Sequence, residues 1–258
     1  MSALRAVASV LALPRDTTSL ELMDDPDCDR DRLFATYGQF RAVNALVAGW
    51  RRVYLRDVRP VLDRTRASRL LDIGFGGGDI PLALARWAAH DGLRLEVTAI
   101  DPDERAHEFV ETRGLTGSGV DFRAASSSEL VAAGERYDIV TSNHLLHHLD
   151  ADALTGLLAD SAALAPLTLH SDIERGRLAL AAFGAATKPL DRGSFVHYDG
   201  TLSIRRSYTA TELRVVAPQG WTVRREFPYR LLLTRDQTLT PQGSPHGQPQ
   251  PAGVPSAT

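Results

Sequence analysis

The sequence predicts an α/β fold with a seven-stranded, mostly parallel sheet, helices on both faces and an antiparallel terminal hairpin. Short apolar runs and helical patterns alternate from residue 68 onward, and such alternation implies parallel strands joined by right-handed crossovers. The last two apolar runs, 222–227 and 229–234, are separated only by Pro228. So short a connection excludes a crossover, and these two strands must therefore form an antiparallel hairpin.

The parallel part of the sheet is assigned from apolar runs that are each followed by a helical pattern. The predicted strands are 69–73, 95–100, 120–123, 137–142 and 167–172. The predicted helices are 80–90, 103–113, 128–133, 151–164, 177–187 and 209–217. Thr209 and Glu212 have the spacing of a capping box, which marks the start of the last of these helices.

The chain divides into three parts. A charged turn at 24–32 precedes a helical pattern with one largely apolar stripe, which should cap the core. The stripe consists of Leu33, Tyr37, Phe40, Asn44 and Val47. We assign 1–60 to an N-terminal helical extension or lid, 61–235 to the core with an insertion at about 173–208, and 236–258 to a disordered tail rich in Gln, Pro, Gly and Ser. The insertion has a helical half, 177–187, and a polar half, 191–207.

Composition excludes several functional classes. The 258 residues carry a formal charge of -3 and contain no Lys/Arg block, which argues against a nucleic-acid partner. Cys28 is the single cysteine, so an internal disulfide and a Cys-rich metal cluster are excluded, and a reducing cytoplasm is favoured. The apolar run 6–13 is short for a signal peptide, and no other stretch approaches membrane-spanning length. We expect a cytoplasmic protein without a membrane partner.

A glycine-rich turn lies between the first predicted strand and the next helix. Gly74, Gly76 and Gly78 lack a Cβ, so the main chain can adopt positive φ there and lie against a ligand. The following helix points its free N–H groups at the same place. An acid about twenty residues later, Asp101, ends the second strand. This is the layout of a nucleotide-cofactor site.

The spacing of the turn disfavours a dinucleotide. The dinucleotide fingerprint G-x-G-x-x-G would place its last glycine at residue 79 or 81, which are Asp79 and Pro81. Asp72 lies directly before the turn and Asp79 directly after it. Two acids in these positions suit a cationic ligand better than a pyrophosphate.

Three segments resemble, in the right order, motifs of the class I S-adenosylmethionine-dependent methyltransferases. Asp-x-Gly-x-Gly-x-Gly at 72–78 is similar to the first motif, and Ile-Asp-Pro at 100–102 to the second. Residues 137–149 are similar to the fourth motif in its small-molecule form. The resemblance covers about 68–235. It implies a Rossmann-like fold, S-adenosylmethionine as the cofactor and a small organic molecule as the methyl acceptor.

Candidate cofactor residues follow the glycine turn and the ends of the next strands. Asp101 is placed to accept hydrogen bonds from two ribose hydroxyls, with a helix N-cap as its alternative role. The resemblance implies that Asp72 lies near the methionine ammonium. An adenine-binding acid is absent after the third strand, where serines stand instead. The predicted cofactor-binding residues are Asp72, Gly74, Gly76, Gly78, Asp79, Asp101, Pro102, Ser126, Ser127, Asn143 and Arg41.

Three histidines follow the fourth strand, at the edge where ligands bind in open α/β sheets. In a helix, His144, His147 and His148 would fall at i, i+3 and i+4, so at least two would point the same way. A general base, a metal site and packing histidines are all compatible with this pattern. Metal is least favoured because no further ligand shares the spacing, and we predict none. His144 and His147 are the catalytic candidates.

The acceptor side is predicted from residues near the same edge. The candidate substrate-binding residues are Tyr37, His148, Asp172 and Arg175. The insertion is interpreted as an acceptor-side lid. Segments 21–25 and 199–206 give a general resemblance to bacterial secondary-metabolism methyltransferases, which implies an aromatic or polyketide-like acceptor but does not distinguish oxygen, carbon and nitrogen methylation. We expect O-methylation of a phenolic or polyketide-like acceptor. The alternatives are C- or N-methylation, a cyclase-like enzyme that binds the cofactor without methyl transfer, and an NAD(P)-dependent oxidoreductase. The oligomeric state is left as monomer or homodimer.

Overall fold

A computed structural model describes residues 13–238; most of the apolar run 6–13 and of the predicted tail lie outside the described residues. Within them the strands form one seven-stranded sheet in the order β3-β2-β1-β4-β5-β7-β6. The strands are β1 Ser68–Ile73, β2 Leu95–Asp101, β3 Val120–Ala124, β4 Ile139–Asn143, β5 Leu167–Ile173, β6 Thr222–Glu226 and β7 Arg230–Asp236. All pairs are parallel except β5 with β7 and β6 with β7, which are antiparallel. The predicted sheet and its terminal hairpin are confirmed.

The central strands are buried along almost their whole length because helices cover both faces of the sheet. Every residue of β5 is buried, and so is every residue of β1 except Arg69. Such continuous burial is typical of parallel strands covered on both sides. At the far edge, β6 is mostly exposed. The sheet thus separates two apolar layers, one on each face.

Five of the nine α-helices among the described residues begin at a side-chain cap. The helices are α1 Arg30–Val47, α2 Trp50–Val53, α3 Asp79–His90, α4 Glu104–Thr112, α5 Ser127–Ala132, α6 Ala151–Leu164, α7 Arg177–Thr187, α8 Val196–Arg206 and α9 Ala210–Val216. Thr209 and Glu212 form the predicted capping box of α9. Helices α1, α4 and α6 are capped by Asp29, Asp103 and Asp150, whose carboxylates accept backbone N–H groups of the first helical turn. Among the described residues, no helix is long and apolar enough to cross a membrane.

The polar half of the insertion differs from the prediction, because 196–206 form the helix α8. Three of its polar residues, Asp199, Ser203 and Arg206, are buried and make long-range hydrogen bonds. The Asp199 carboxylate accepts the backbone N–H groups of Leu22 and Met23 at 2.7 and 3.1 Å. Arg206 donates to the carbonyl oxygens of His147 and His148, each at 3.3 Å. The helix therefore fastens the N-terminal segment to the loop after β4.

Candidate active site

A cavity of about 750 Å³ opens at the carboxyl ends of β1, β2 and β4. It lies where the strand order reverses between β1 and β4, which is the usual ligand position in open α/β sheets. Residues of α1 and α8 also line it. The predicted site residues in its wall are Tyr37, Asp72, Gly74, Gly76, Asp79, Asp101, Pro102, Ser126, Ser127, Asn143, His144, His147 and His148.

The glycine turn has the backbone conformation that its composition predicts. The φ angles of Gly74, Gly76 and Gly78 are 76°, 47° and 73°, a region that other residues rarely adopt. The N–H of Gly76 donates to Asp101 Oδ2 at 2.9 Å, so the turn and the end of β2 are joined directly. Gly78 does not line the cavity. A Cβ there would lie 3.1 Å from the Phe122 ring, so this glycine permits packing beneath the turn.

Gly77 has a role that sequence reasoning missed. A Cβ at this position would lie 2.6 Å from the carbonyl oxygen of Tyr37, well inside normal contact. Helix α1 therefore crosses the glycine turn backbone to backbone. The Tyr37 and Phe40 rings reach the cavity wall beside Gly76. The predicted N-terminal cap is in this way fixed over the cavity.

Three buried carboxylates face the cavity with raised pKa values. Burial raises the pKa of Asp72 to about 7, although its oxygen accepts a hydrogen bond from Thr141 at 2.6 Å. Burial also raises the pKa of Asp101 to about 6, and raises that of Asp79, which accepts from Asn44 at 3.1 Å. A cationic ligand would favour the ionised form of each carboxylate. The cavity is therefore suited to a positively charged ligand group.

The loop after β3 provides a helix cap, and α6 places beside it a carboxylate that the sequence did not suggest. Ser126 is the N-cap of α5 and forms a capping box with Glu129. Ser127 Oγ donates to Asp160 Oδ2 at 2.7 Å, and all three side chains, Ser126, Ser127 and Asp160, line the cavity. Asp160 belongs to α6, so only the tertiary structure brings a carboxylate to this position.

The histidine segment is not the helix that would have aligned His144, His147 and His148. Only 146–148 form a 3-10 turn, and His144 adopts a positive φ of 57°. The Arg230 guanidinium donates to His144 Nε2 at 2.8 Å. Burial and this cation hold the pKa of His144 well below its usual value. The nitrogen that would accept a proton is thus already occupied.

His147 is held in a charged state. Burial alone would lower its pKa, but the Asp172 carboxylate, 2.8 Å from Nδ1, and the Glu21 carboxylate raise the pKa to about 10. The same pairing holds the pKa of Asp172 far below its usual range, against the effect of burial. A histidine that already carries its proton cannot accept one. The arrangement argues against a general-base role for both His144 and His147.

Four predicted site residues lie outside the cavity wall. Gly78 packs below the turn, and Arg41 is exposed on a separate surface groove. Asp172 lies behind His147. Arg175 was predicted to bind substrate, but its guanidinium donates to the carbonyl oxygens of Leu13 and Ser207, each at 2.6 Å, and pairs with Glu212, so it anchors α9 instead.

Several polar residues of the wall were not candidates in the sequence. Glu21, Asp24, Asp199 and Ser203 line the end of the cavity away from the glycine turn. They come from the N-terminal segment and from α8. The only indication in the sequence was the general resemblance of segments 21–25 and 199–206 to bacterial secondary-metabolism methyltransferases. No spacing in the chain indicated that they would meet.

Comparison with known proteins agrees with this geometry. The family model "Methyltransferase domain" matches residues 70–165, which include the glycine turn, Asp101 and the histidine segment. This match confirms the resemblance to the class I S-adenosylmethionine-dependent methyltransferases over residues 70–165. The Rossmann-like methyltransferase sheet, with its antiparallel end strands, is the fold described above.

Curated relatives of this methyltransferase chain match over part of their length. A "Ubiquinone biosynthesis O-methyltransferase" of Cereibacter sphaeroides is 38% identical over 125 residues, which cover 45% of this chain and 47% of the relative. A protein of the same name from Rhizobium leguminosarum is 38% identical over 82 residues, or 31% and 30% of the two chains. The chain thus spans less than half the length of these relatives.

Solved methyltransferase structures share the fold at low identity. The plantazolicin methyltransferase BpumL, in complex with SAH, is 13% identical with a TM-score of 0.58 and covers 84% of this chain and 93% of its own. The CurJ carbon methyltransferase is 14% identical with a TM-score of 0.56 and covers 81% and 61%. At these identities the likeness concerns the fold alone.

Proposed function

We propose that the protein transfers the methyl group of S-adenosylmethionine to an oxygen of a small phenolic acceptor. The observation that carries this proposal is one continuous cavity with two chemically different ends. The glycine turn, Asp72 and Asp101 line one end, and the histidine segment with α8 lines the other. A cavity of about 750 Å³ lies within the usual range for a small-molecule site.

The first end fits the cofactor by charge and by shape. Asp101 would accept the ribose hydroxyls, and Asp72 with Asp79 would face the methionine ammonium, since their raised pKa values favour a cation. Gly74 and Gly76 present backbone without side chains to the same space. Asp160, beside Ser127, is our candidate acceptor for the adenine amine.

The protein's contribution to catalysis would be alignment and exclusion of water. The bound cofactor supplies an electrophilic methyl group and a good leaving group. Helices α1 and α8 cover the cavity, and Tyr37, Phe40 and Phe183 supply apolar wall. Holding two reactants in line can supply a large part of a rate enhancement. No general base is required for such a transfer, in agreement with the occupied Nε2 of His144 and the raised pKa of His147.

The acceptor, the metabolic role and the location are proposed from the relatives and from the sequence. The curated relatives are named for O-methylation in ubiquinone biosynthesis, which favours oxygen as the methylated atom here. We retain a phenolic or polyketide-like acceptor in secondary metabolism, a cytoplasmic location and a monomer or homodimer. Tyr37 and His148 are the remaining substrate-binding candidates in the wall. The insertion with α7 and α8 is our candidate for the acceptor-side lid.

Incubation with S-adenosylmethionine labelled in its methyl group and a panel of phenols tests the activity. We expect label in at least one phenol, and mass spectrometry with NMR should place the methyl group on oxygen. Label on carbon or nitrogen would change the acceptor atom and leave the transfer reaction in place. Cofactor binding without label transfer to phenols, amines or activated carbons would favour the cyclase-like alternative.

Cofactor affinity should depend on pH because of the buried acids. Asp72, with a pKa of about 7, and Asp101, with a pKa of about 6, must ionise to bind a cation and ribose hydroxyls. Affinity should therefore rise with pH and level off near pH 8, and it should fall roughly 100-fold by pH 5.5. Titration calorimetry with S-adenosylhomocysteine measures this, and Asp72→Asn should flatten the profile. A flat profile in the unmodified protein would contradict the assignment.

A further inference from the structure

Glu21, His147 and His148 bring three potential metal ligands together at the acceptor end of the cavity. One ligand atom from each lies within 4.8 Å of the other two. His147 Nε2 is 3.4 Å from Glu21 Oε1, and His148 Nε2 is 3.8 Å from Glu21 Oε2. Ligands bound tetrahedrally at zinc distances are about 3.4 Å apart. The free protein thus already has nearly the spacing that a small cation requires.

The buried ring of His147 has a nitrogen directed into this cluster without a proper partner. Its Nε2 atom makes no hydrogen bond of normal geometry with any described residue. Its Nδ1 atom is 2.8 Å from Asp172 Oδ1, which fixes the ring. A histidine that is fixed by a carboxylate through one ring nitrogen, with the other nitrogen available to the cation, is the usual arrangement of a metal-binding histidine.

The other two ligands are also oriented by neighbours. His148 Nδ1 is 3.1 Å from Asp24 Oδ2, so His148 repeats the carboxylate–histidine arrangement of His147. Ser203 Oγ donates to Glu21 Oε1 at 2.8 Å and positions that carboxylate. Such supporting contacts around ligands are typical of metal sites.

We propose that Glu21, His147 and His148 bind a divalent cation of the Zn²⁺ class, with Asp172 and Asp24 as the supporting carboxylates. The cation would replace the Nε2 proton of His147, which is released to solvent on binding. Two imidazoles and one carboxylate suit zinc and its transition-metal neighbours better than Mg²⁺ or Ca²⁺. All three ligands line the cavity, so one coordination position would face the acceptor. A phenolic oxygen of the acceptor is the natural fourth ligand. The binding site itself is independent of the proposed methyl transfer and can be tested without the cofactor.

Metal binding should be measured on tag-free protein that has been treated with a chelator. Calorimetric titration with Zn²⁺ is expected to give one site per chain, and Co²⁺ is expected to give the visible absorption of a bound ion. His148→Ala and Glu21→Gln should each weaken Zn²⁺ binding at least tenfold, and Asp24→Asn should weaken it about tenfold or more. His90→Ala, a change in an exposed histidine on α3, is the matched control and should bind like the unmodified protein.

Two results would overturn the site. One is the absence of stoichiometric Zn²⁺ and Co²⁺ binding by protein whose circular dichroism and melting show it folded. The other is binding that the His148 and Glu21 variants retain in full. In either case His147 would serve as a protonated link between Asp172 and Glu21. Failure of metal binding together with binding of S-adenosylhomocysteine would leave the proposed function intact.

Discussion

Asp101→Asn is expected to weaken binding of S-adenosylhomocysteine about 100-fold. In the free protein the two carboxylate oxygens accept the N–H groups of Gly76 and Asp103, at 2.9 and 3.0 Å. An asparagine of the same shape places an NH₂ group against one of these donors and loses an acceptor for the ribose hydroxyls. Both changes act on the cofactor end of the cavity, so the loss should appear as a higher Kd in titration calorimetry.

Asp121→Asn is the control for this variant, since Asp121 is an exposed residue of β3 outside the cavity. It should bind S-adenosylhomocysteine like the unmodified protein. Melting curves of both variants separate loss of affinity from loss of fold. If a folded Asp101→Asn protein bound within a factor of three of the unmodified protein, Asp101 would not be a ribose ligand.

Gly77→Ala should both destabilise the protein and impair cofactor binding. The added Cβ would lie 2.6 Å from the Tyr37 carbonyl oxygen, and backbone atoms on both sides cannot yield cheaply. Overpacking of this kind costs about 1–3 kcal/mol, which corresponds to a Tm lower by roughly 3–10 °C in a domain of this size. Displacement of α1 would also move Tyr37 and Phe40 away from the cavity wall, so affinity should fall as well. Thermal unfolding and calorimetry measure the two effects.

Gly193→Ala is the matched control, because a Cβ at Gly193 meets no heavy atom within 4 Å and its φ is not positive. Its Tm and affinity should stay close to those of the unmodified protein. An unchanged Tm in Gly77→Ala would mean that α1 does not press on the glycine turn as described. If the Tm fell and the affinity did not change, α1 would still pack on the glycine turn but would not contribute to cofactor binding.

Local signals were enough to predict the sheet and the residues that line the cavity around the glycine turn. Apolar runs identified the buried strands. The connection between the last two strands, at Pro228, is too short for a crossover, which left a hairpin as the only possibility. Gly74, Gly76 and Asp101 belong to one continuous strand–turn–helix–strand unit. Their spacing along the chain was therefore enough to predict that they lie close together.

The acceptor end depends on contacts between distant parts of the chain, which spacing does not encode. Asp199 can be buried because its carboxylate accepts the backbone N–H groups of Leu22 and Met23. The charge states of the two histidines depend on Arg230 and Asp172, which belong to other strands. Periodicity therefore favoured a helix with aligned histidines, while these partners stabilise a short turn with a positive φ at His144.

The most direct test is a calorimetric titration of the unmodified protein with S-adenosylhomocysteine and, separately, with NADH. We expect one saturable site for S-adenosylhomocysteine, with Kd in the micromolar range or below, and no saturable binding of NADH. Absence of binding of S-adenosylhomocysteine, with binding of NADH in its place, would contradict it.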